Sequence, residues 1–177
     1  MKKIANRMTG SILTAIVVLL FVACSSARKT GGSQQQYMSK QYRELKNVLN
    51  EAEVSIIKDS VKVIFPNNVL FASSSDQLKE EIKPTFQRFA NVLTKYGKTK
   101  ILVTGHTDNT GAPSYNRELS ERRAASGKQL LITDGVSADR MLTWGLGDRA
   151  PVATNDTDEG KARNRRVEFV ILYDVKQ

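Results

Sequence analysis

The sequence predicts an α/β sandwich in which a mixed sheet carries helices packed on one face. Three observations predict it. From residue 61 onward, β-rich runs alternate with helix-period runs. Two long helix-period stretches, about 77–96 and 114–133, each lie between such runs. The last run, Arg166 to Tyr173, alternates Val167, Phe169 and Ile171 with Glu168, Val170 and Leu172, so both faces are partly apolar, as in a central strand. A chain of 177 residues accommodates one such domain plus appendages.

The appendages come first. Lys2, Lys3 and Arg7 precede an apolar run from Ile12 to Val22, which is shorter than the ~20 residues a membrane span needs. Residues 1–23 therefore read as a signal peptide, ending on the small Ala23. Cys24, the only cysteine, follows at once. Leu20-Phe21-Val22-Ala23-Cys24 resembles the lipobox of bacterial lipoproteins, with Phe21 where Leu is usual, and implies a lipidated Cys24. The alternative is an ordinary signal peptide or an uncleaved anchor with a chance cysteine at its border. Two or three acyl chains would hold the chain firmly at a membrane. Ser25 replaces the Asp that retains some lipoproteins in the inner membrane, which points to the outer one. Residues 24–36, rich in Ser, Gly and Gln, read as the lipidated cysteine and a flexible tether.

The remaining elements follow in order. Tyr42, Leu45, Val48, Leu49 and Ala52 recur at helical spacing, so residues 37–60 are expected to hold an amphipathic helix and a first strand. The domain proper is expected over 61–177. Val54 to Ile57 and Val61 to Phe65 flank Lys58-Asp59-Ser60, as in a hairpin. The helix over 77–96 places Leu78, Ile82, Phe86, Phe89, Leu93 and Tyr96 on one face, with Pro84 kinking or separating its first turns and Gly97 ending it. A strand over Lys100 to Gly105 leads through a loop to a helix from about Ser114 to Thr133, closed by Gly135. A short helix near Ser137 to Arg140 and a strand over Met141 to Gly145 come next. Residues 146–160 read as a polar loop.

Composition narrows the function classes. The formal charge is +9, and removing residues 1–23 would lower it to +6, because Lys2, Lys3 and Arg7 are their only charges. Such a balance favours anionic surfaces, but export and the lack of an aromatic-interleaved basic patch argue against nucleic acid. His106 is the only histidine, so no multi-histidine metal centre can form, and Gly145-Leu146-Gly147 lacks the surroundings of a phosphate-binding loop. No cofactor, metal or catalytic residue is expected.

One pair of opposite charges stands out. Asp108 closes Thr104-Gly105-His106-Thr107-Asp108 at a strand end, and Arg123 lies one to two turns inside the next helix. A strand–loop–helix unit can present both at one mouth, which suits a ligand bearing an amine and a carboxylate. Taken alone, Asp108 could equally serve an Asx turn and Arg123 could be a surface helix residue.

Gly105-His106-Thr107-Asp108-Asn109-Thr110-Gly111, Tyr115-Asn116, Leu119-Ser120 and Arg123-Ala124 resemble the OmpA-like peptidoglycan-binding domain. So do Gly145-Leu146-Gly147, Pro151, Asn155, Gly160 and Asn164-Arg165-Arg166-Val167-Glu168, all in family order over roughly Val61 to Tyr173. With the lipobox, the whole is similar to the peptidoglycan-associated lipoprotein group. The resemblance implies the OmpA C-terminal-like sandwich and a diaminopimelate-type stem peptide as partner. It implies that Asp108, with Thr107 in the same motif, meets the ligand amine and that Arg123 binds its carboxylate. Asn116 and Leu119 would line the pocket, and Arg165, with Asn164 and Arg166 beside it, would border it. For Arg165 and Arg166, pairing with an Asp or Glu inside the fold is the alternative. Many relatives carry an acidic residue soon after the Leu-Phe that here is Leu70-Phe71; this chain has Ala72 and serines instead. The function so implied is an outer-membrane lipoprotein that grips peptidoglycan from the periplasm. A scaffold module docking another envelope protein is the rival. No release of soluble fragments from purified peptidoglycan is expected, and measurable hydrolysis would contradict the reading.

Overall fold

The computed structural model describes residues 32–72 and 75–174. The expected signal peptide, Cys24, Ser73 and Ser74 therefore lie outside the described residues. Met38 to Gln177 form one compact unit.

Its framework is a five-stranded sheet in the order β1-β2-β5-β3-β4. β1 (Glu53–Ile57) and β2 (Ser60–Pro66) make the expected hairpin. Its turn places Lys58 at φ 55, the left-handed conformation that two-residue hairpin turns favour. β5 (Arg166–Tyr173) lies at the centre, antiparallel to both β2 and β3 (Thr99–His106). Its two apolar faces have this cause. β4 (Met141–Gly147) runs parallel to β3, so the chain must cross over between them, and the long helix does so.

The helices depart from the sequence reading at identifiable places. Residues 32–48 are helical (α1), so the stretch expected to be a tether to residue 36 overlaps this helix by residues 32–36. Gln34 to Gln36 carry no helix breaker and simply extend the amphipathic pattern. Val69 and Leu70 belong to a single turn, α2 (Asn67–Leu70). The expected helix over 77–96 is replaced by a β-bridge between Phe71 and Leu78, a 3₁₀ turn at Glu80–Ile82 and then α3 (Lys83–Lys95). Pro84 sits in the first turn of α3, where its missing N–H costs nothing, and so marks the helix start rather than a kink. α4 (Pro113–Thr133) likewise starts on a proline, and a 3₁₀ turn spans Ala138–Arg140. α5 (Asp158–Asn164) lies at the edge of the stretch read as loop; it is too short to show a period. Thr157 caps it through a 3.1 Å bond from the Gly160 N–H.

The core fills the space between α3, α4 and one sheet face. Phe65, Phe86, Phe89 and Phe169 form an aromatic cluster with centroids 5.2 to 6.2 Å apart. Each fully buried ring contributes about 2–3 kcal/mol of transfer free energy. From α1, Met38 and Leu45 are fully buried, and Leu49 just beyond it is buried. Arg88 of α3 donates to the Val48 carbonyl at 3.0 Å and pairs with Glu51, while Lys95 and Tyr96 both reach Glu44. The segment after residue 37 is thus an integral part of the unit. On the opposite sheet face Leu142, Trp144 and Leu172 are exposed.

α4 approaches β3 and β4 unusually closely. A Cβ on Gly105 would collide with the Ser120 carbonyl, and one on Gly145 would lie 2.6 Å from both the Arg117 carbonyl oxygen and the Glu121 nitrogen. Side chains of α4 then satisfy the outward-facing groups of edge strand β4. Glu121 accepts the Gly145 N–H, Ser120 Oγ accepts the Gly147 N–H at 2.9 Å, and Lys128 donates to the Met141 carbonyl at 2.9 Å. An edge so occupied is a poor template for pairing with another strand. Gly145→Ala should cost about 3 kcal/mol, because the obstruction is backbone and α4 must lift as a whole. Urea denaturation checks this, and an unchanged midpoint would refute the close seating.

Candidate functional site

The site begins where β3 runs out. The Thr107 N–H donates to the Gly147 carbonyl at 2.9 Å, which keeps the chain on β4 for one more residue. Asp108 follows, 8% exposed. Its Oδ1 accepts the Thr110 N–H at 2.9 Å, an Asx turn, and Gly111 takes φ 90 to bring the chain into α4. Asn116, in the first turn of α4, donates through Nδ2 to the carbonyls of Thr110 at 3.1 Å and Asp108 at 3.4 Å. It therefore ties the loop to the helix. Leu119 is buried one turn further on, and the Thr107 hydroxyl is buried with no hydrogen-bond partner.

The cation against Asp108 is Arg165. Its Nη1 lies 2.5 Å from Asp108 Oδ2, because β5 pairs antiparallel with β3 and His106 stands opposite Arg166. Burial pushes the Asp108 pKa up. Bonds from Arg165 and Thr110 and the charge of Arg165 more than offset this and hold it below the usual carboxylate value.

Arg123 is only 3% exposed, which corrects the alternative of a surface helix residue. Its Nε donates to the Ser75 carbonyl at 2.9 Å, and its guanidinium stacks over the Phe71 ring, 5.4 Å from the centroid. Among the described residues it has no carboxylate within ion-pair distance. Burial pushes its pKa down; Tyr115 and the charge of Asp76 oppose this, and the charges of Arg165 and Arg122 add to it. The cation in contact with Asp108 is thus Arg165 and not Arg123. Both belong to one charged cluster, but Arg165 occupies the carboxylate. The segment under Arg123 is held by α4 itself: Arg122 pairs with Asp76 at 2.7 Å and Ser126 Oγ donates to the Asp76 carbonyl at 2.7 Å.

The other basic-motif residues are internal struts. Asn164 is fully buried and uses its whole amide on the 152–155 loop, accepting from the N–H groups of Val152 and Ala153 and donating to Ala153 and Asn155. Arg166 pairs with Glu168 at 2.7 Å and donates to the Asn164 and Ala150 carbonyls. Sequence reasoning missed Phe71 and Ser75 as the supports of Arg123, since neither contact leaves a periodic signal. A separate groove of about 660 Å³ runs beside the start of α4, lined by Pro113, Ser114, Arg117, Glu118, Glu121 and Arg149. It contains none of the expected binding residues, and its charges are mixed in sign.

A profile of the OmpA family matches residues 70–165, which include every element of this cluster. The chain belongs to the OmpA family. It is 43% identical over 143 residues to the probable lipoprotein YiaD of Escherichia coli strain K12, covering 80% of this chain and 65% of that protein. It therefore spans just under two thirds of that relative's length. It is 34% identical to the outer-membrane lipoprotein YfiB of Pseudomonas aeruginosa over 166 residues, 94% of each. Among solved structures, the cell wall anchor of the T6SS from Pseudomonas aeruginosa superposes with a TM-score of 0.67 at 34% identity, covering 77% of this chain and 97% of that one. The peptidoglycan-associated lipoprotein from Burkholderia pseudomallei does so with a TM-score of 0.54 at 30% identity, covering 58% and 87%. The OmpA C-terminal-like sandwich expected from the sequence is the fold observed.

In this OmpA-family chain the site is backed by a buried charge network. His106 is 3% exposed, with Nε2 3.2 Å from Thr104 Oγ1 and 3.9 Å from Glu168. Glu168 is engaged by Lys62 at 2.9 Å and by Arg166. Burial and then the charge of Arg166 lower the His106 pKa to about 4; the charge of Glu168 opposes them, and that of Lys62 adds a smaller push in the same downward direction. The imidazole is therefore neutral at pH 7 and packs within the buried network. The linkage has a definite sign. Between pH 6.5 and 4 the unfolded chain binds a proton that the folded protein refuses, so stability should fall by up to about 3 kcal/mol as pH drops through that window. Urea midpoints at pH 7 and 4.5 measure this, and His106→Gln should flatten the difference. An equal decline in both proteins would refute a neutral buried His106.

Proposed function

We propose that this chain is an outer-membrane lipoprotein that anchors the membrane non-covalently to peptidoglycan, by binding the diamino-acid residue of stem peptides. Asp108 receives the ammonium and Arg123 the carboxylate, with Thr107, Asn116, Leu119 and Arg165 framing them. A lipid on Cys24 holds the chain at the membrane, and the domain faces the periplasm.

The observation that carries the reading is Arg123. A guanidinium held at 3% exposure has a carbonyl and an aromatic ring as its contacts, and Asp76, whose charge acts on it, is already paired with Arg122; a buried cation without an anion of its own is costly. A ligand carboxylate supplies it, and Arg is the side chain suited to planar, bidentate contact. Asp108, held ionised and presented by its own turn, offers the complementary charge. A zwitterionic amino-acid end group satisfies both. The names of the relatives support the setting: an outer-membrane lipoprotein, a cell wall anchor and a peptidoglycan-associated lipoprotein. Among the described residues no helix is long and apolar enough to cross a membrane. Because a sacculus presents many stem peptides, weak single contacts add up to firm attachment.

Purified sacculi, with no other protein present, should retain the wild-type chain and lose Asp108→Ala and Arg123→Lys, each by tenfold or more in apparent affinity. Arg123→Lys keeps the charge and tests the planar contact without emptying the position. Full retention of both folded variants would sink the site assignment. Binding that requires a second envelope protein would favour the scaffold reading.

A further inference from the structure

Asp108 already holds a cation, and it is one of the chain's own. We propose that Arg165 is an internal competitor: it occupies Asp108 in the free protein, and the ammonium of a ligand must exchange with it. The inference rests on the stem-peptide reading above and adds a rule of selection to it.

Three observations carry it. Both oxygens of Asp108 are engaged, Oδ1 by the Thr110 N–H and Oδ2 by Arg165, and the residue is 8% exposed. An incoming ammonium therefore gains its charge-assisted bond by taking the place of the guanidinium. The two arginines differ in their freedom to move. The Arg165 side chain is 40% exposed, while its backbone is fixed by the Asn67 N–H on its carbonyl at 3.0 Å and by its own N–H on the Lys161 carbonyl at 3.0 Å. It can swing out from a stationary main chain, whereas Arg123, buried over Phe71, cannot. Finally, the cluster holds three guanidiniums, Arg122, Arg123 and Arg165, and two carboxylates, Asp76 on Arg122 and Asp108 on Arg165, so it is one anion short.

Charge accounting then gives the selection rule. A ligand with an amine alone takes Asp108 and leaves Arg165 without an anion and Arg123 with only the charge of Asp76, which Arg122 already pairs. A ligand whose amine stands beside a carboxylate takes Asp108 and returns an anion to the two arginines in the same step. The site thus discriminates a diaminopimelate end group from the plain side-chain amine of a lysine-type stem peptide. Arg165 enforces that difference by making the amine-only exchange unfavourable. It is a specificity-determining residue, not a mere lining residue.

The full chain, kept in non-ionic detergent, is titrated with meso-diaminopimelate and with cadaverine, which has the amines but no carboxylate. The Thr110 amide and the Arg165 Nε–H report binding by NMR. Wild type should prefer diaminopimelate. Arg165→Gln should bind cadaverine about fivefold more tightly than wild type, the range set by removing a half-exposed ion pair, and its preference for diaminopimelate should shrink. Arg165→Lys, which restores a competing cation, should bind cadaverine close to the wild-type level. If Arg165→Gln binds cadaverine no more tightly than wild type, or loses both ligands equally, Arg165 only positions Asp108 and the exchange is wrong. If wild type binds no diaminopimelate at all, the stem-peptide reading falls and the exchange falls with it.

Discussion

The contact on which everything else depends is the seating of α4 on β3 and β4. At Gly105 and Gly145 the helix backbone touches the sheet with no side chain between them. That approach lets Ser120 and Glu121 cap the outward N–H groups of β4, so packing and hydrogen bonding at the sheet edge are satisfied by the same helix. It also fixes the height of α4 relative to the end of β3. Arg123, Asn116 and the Asp108 loop are then placed by one rigid junction rather than by a mobile segment. A larger residue at either glycine would move the helix and with it half of the charged cluster.

Given that junction, the site is an exercise in unequal environments for like charges. Arg123 and Arg165 carry the same group, but one is stacked on Phe71 and sealed under the 75–76 segment, and the other leans on Asp108 from the rim. The first cannot leave, so it defines where an anion must go. The second can leave, so it can be traded. Arg166, one residue further on, is locked to Glu168 beneath them and takes no part in the exchange. Three arginines near one place thus have three separate roles, set by burial and by which carboxylate lies within reach.

Much of the fold was legible in the chain because it follows from local rules. The hairpin about Lys58-Asp59, the long helix to Thr133 and the central position of the last strand all express periodicity and turn chemistry that act over a few residues. The errors lay where a signal was ambiguous or short. Pro84 could kink the helix or separate its first turns, and the tertiary structure, with the Phe71–Leu78 bridge ahead of a 3₁₀ turn, decided for separation. α5 has two turns at most and lies in polar sequence, so no period could betray it.

The site divides along the same line. The residue types and their spacing determined that an acid at a strand end and an arginine inside the following helix share one junction, because that link is local in the chain. They also suggested an Asx turn at Asp108, and the turn is present alongside the ion pair. Which arginine holds the acid was decided by the antiparallel register of β5 on β3, which brings residue 165 to residue 108 across 57 positions of sequence. What lies beneath Arg123 was decided by the folding of Phe71 and Ser75 against α4. Charge identity is written residue by residue, but the desolvation that makes a charge demand a partner exists only once distant segments have closed around it.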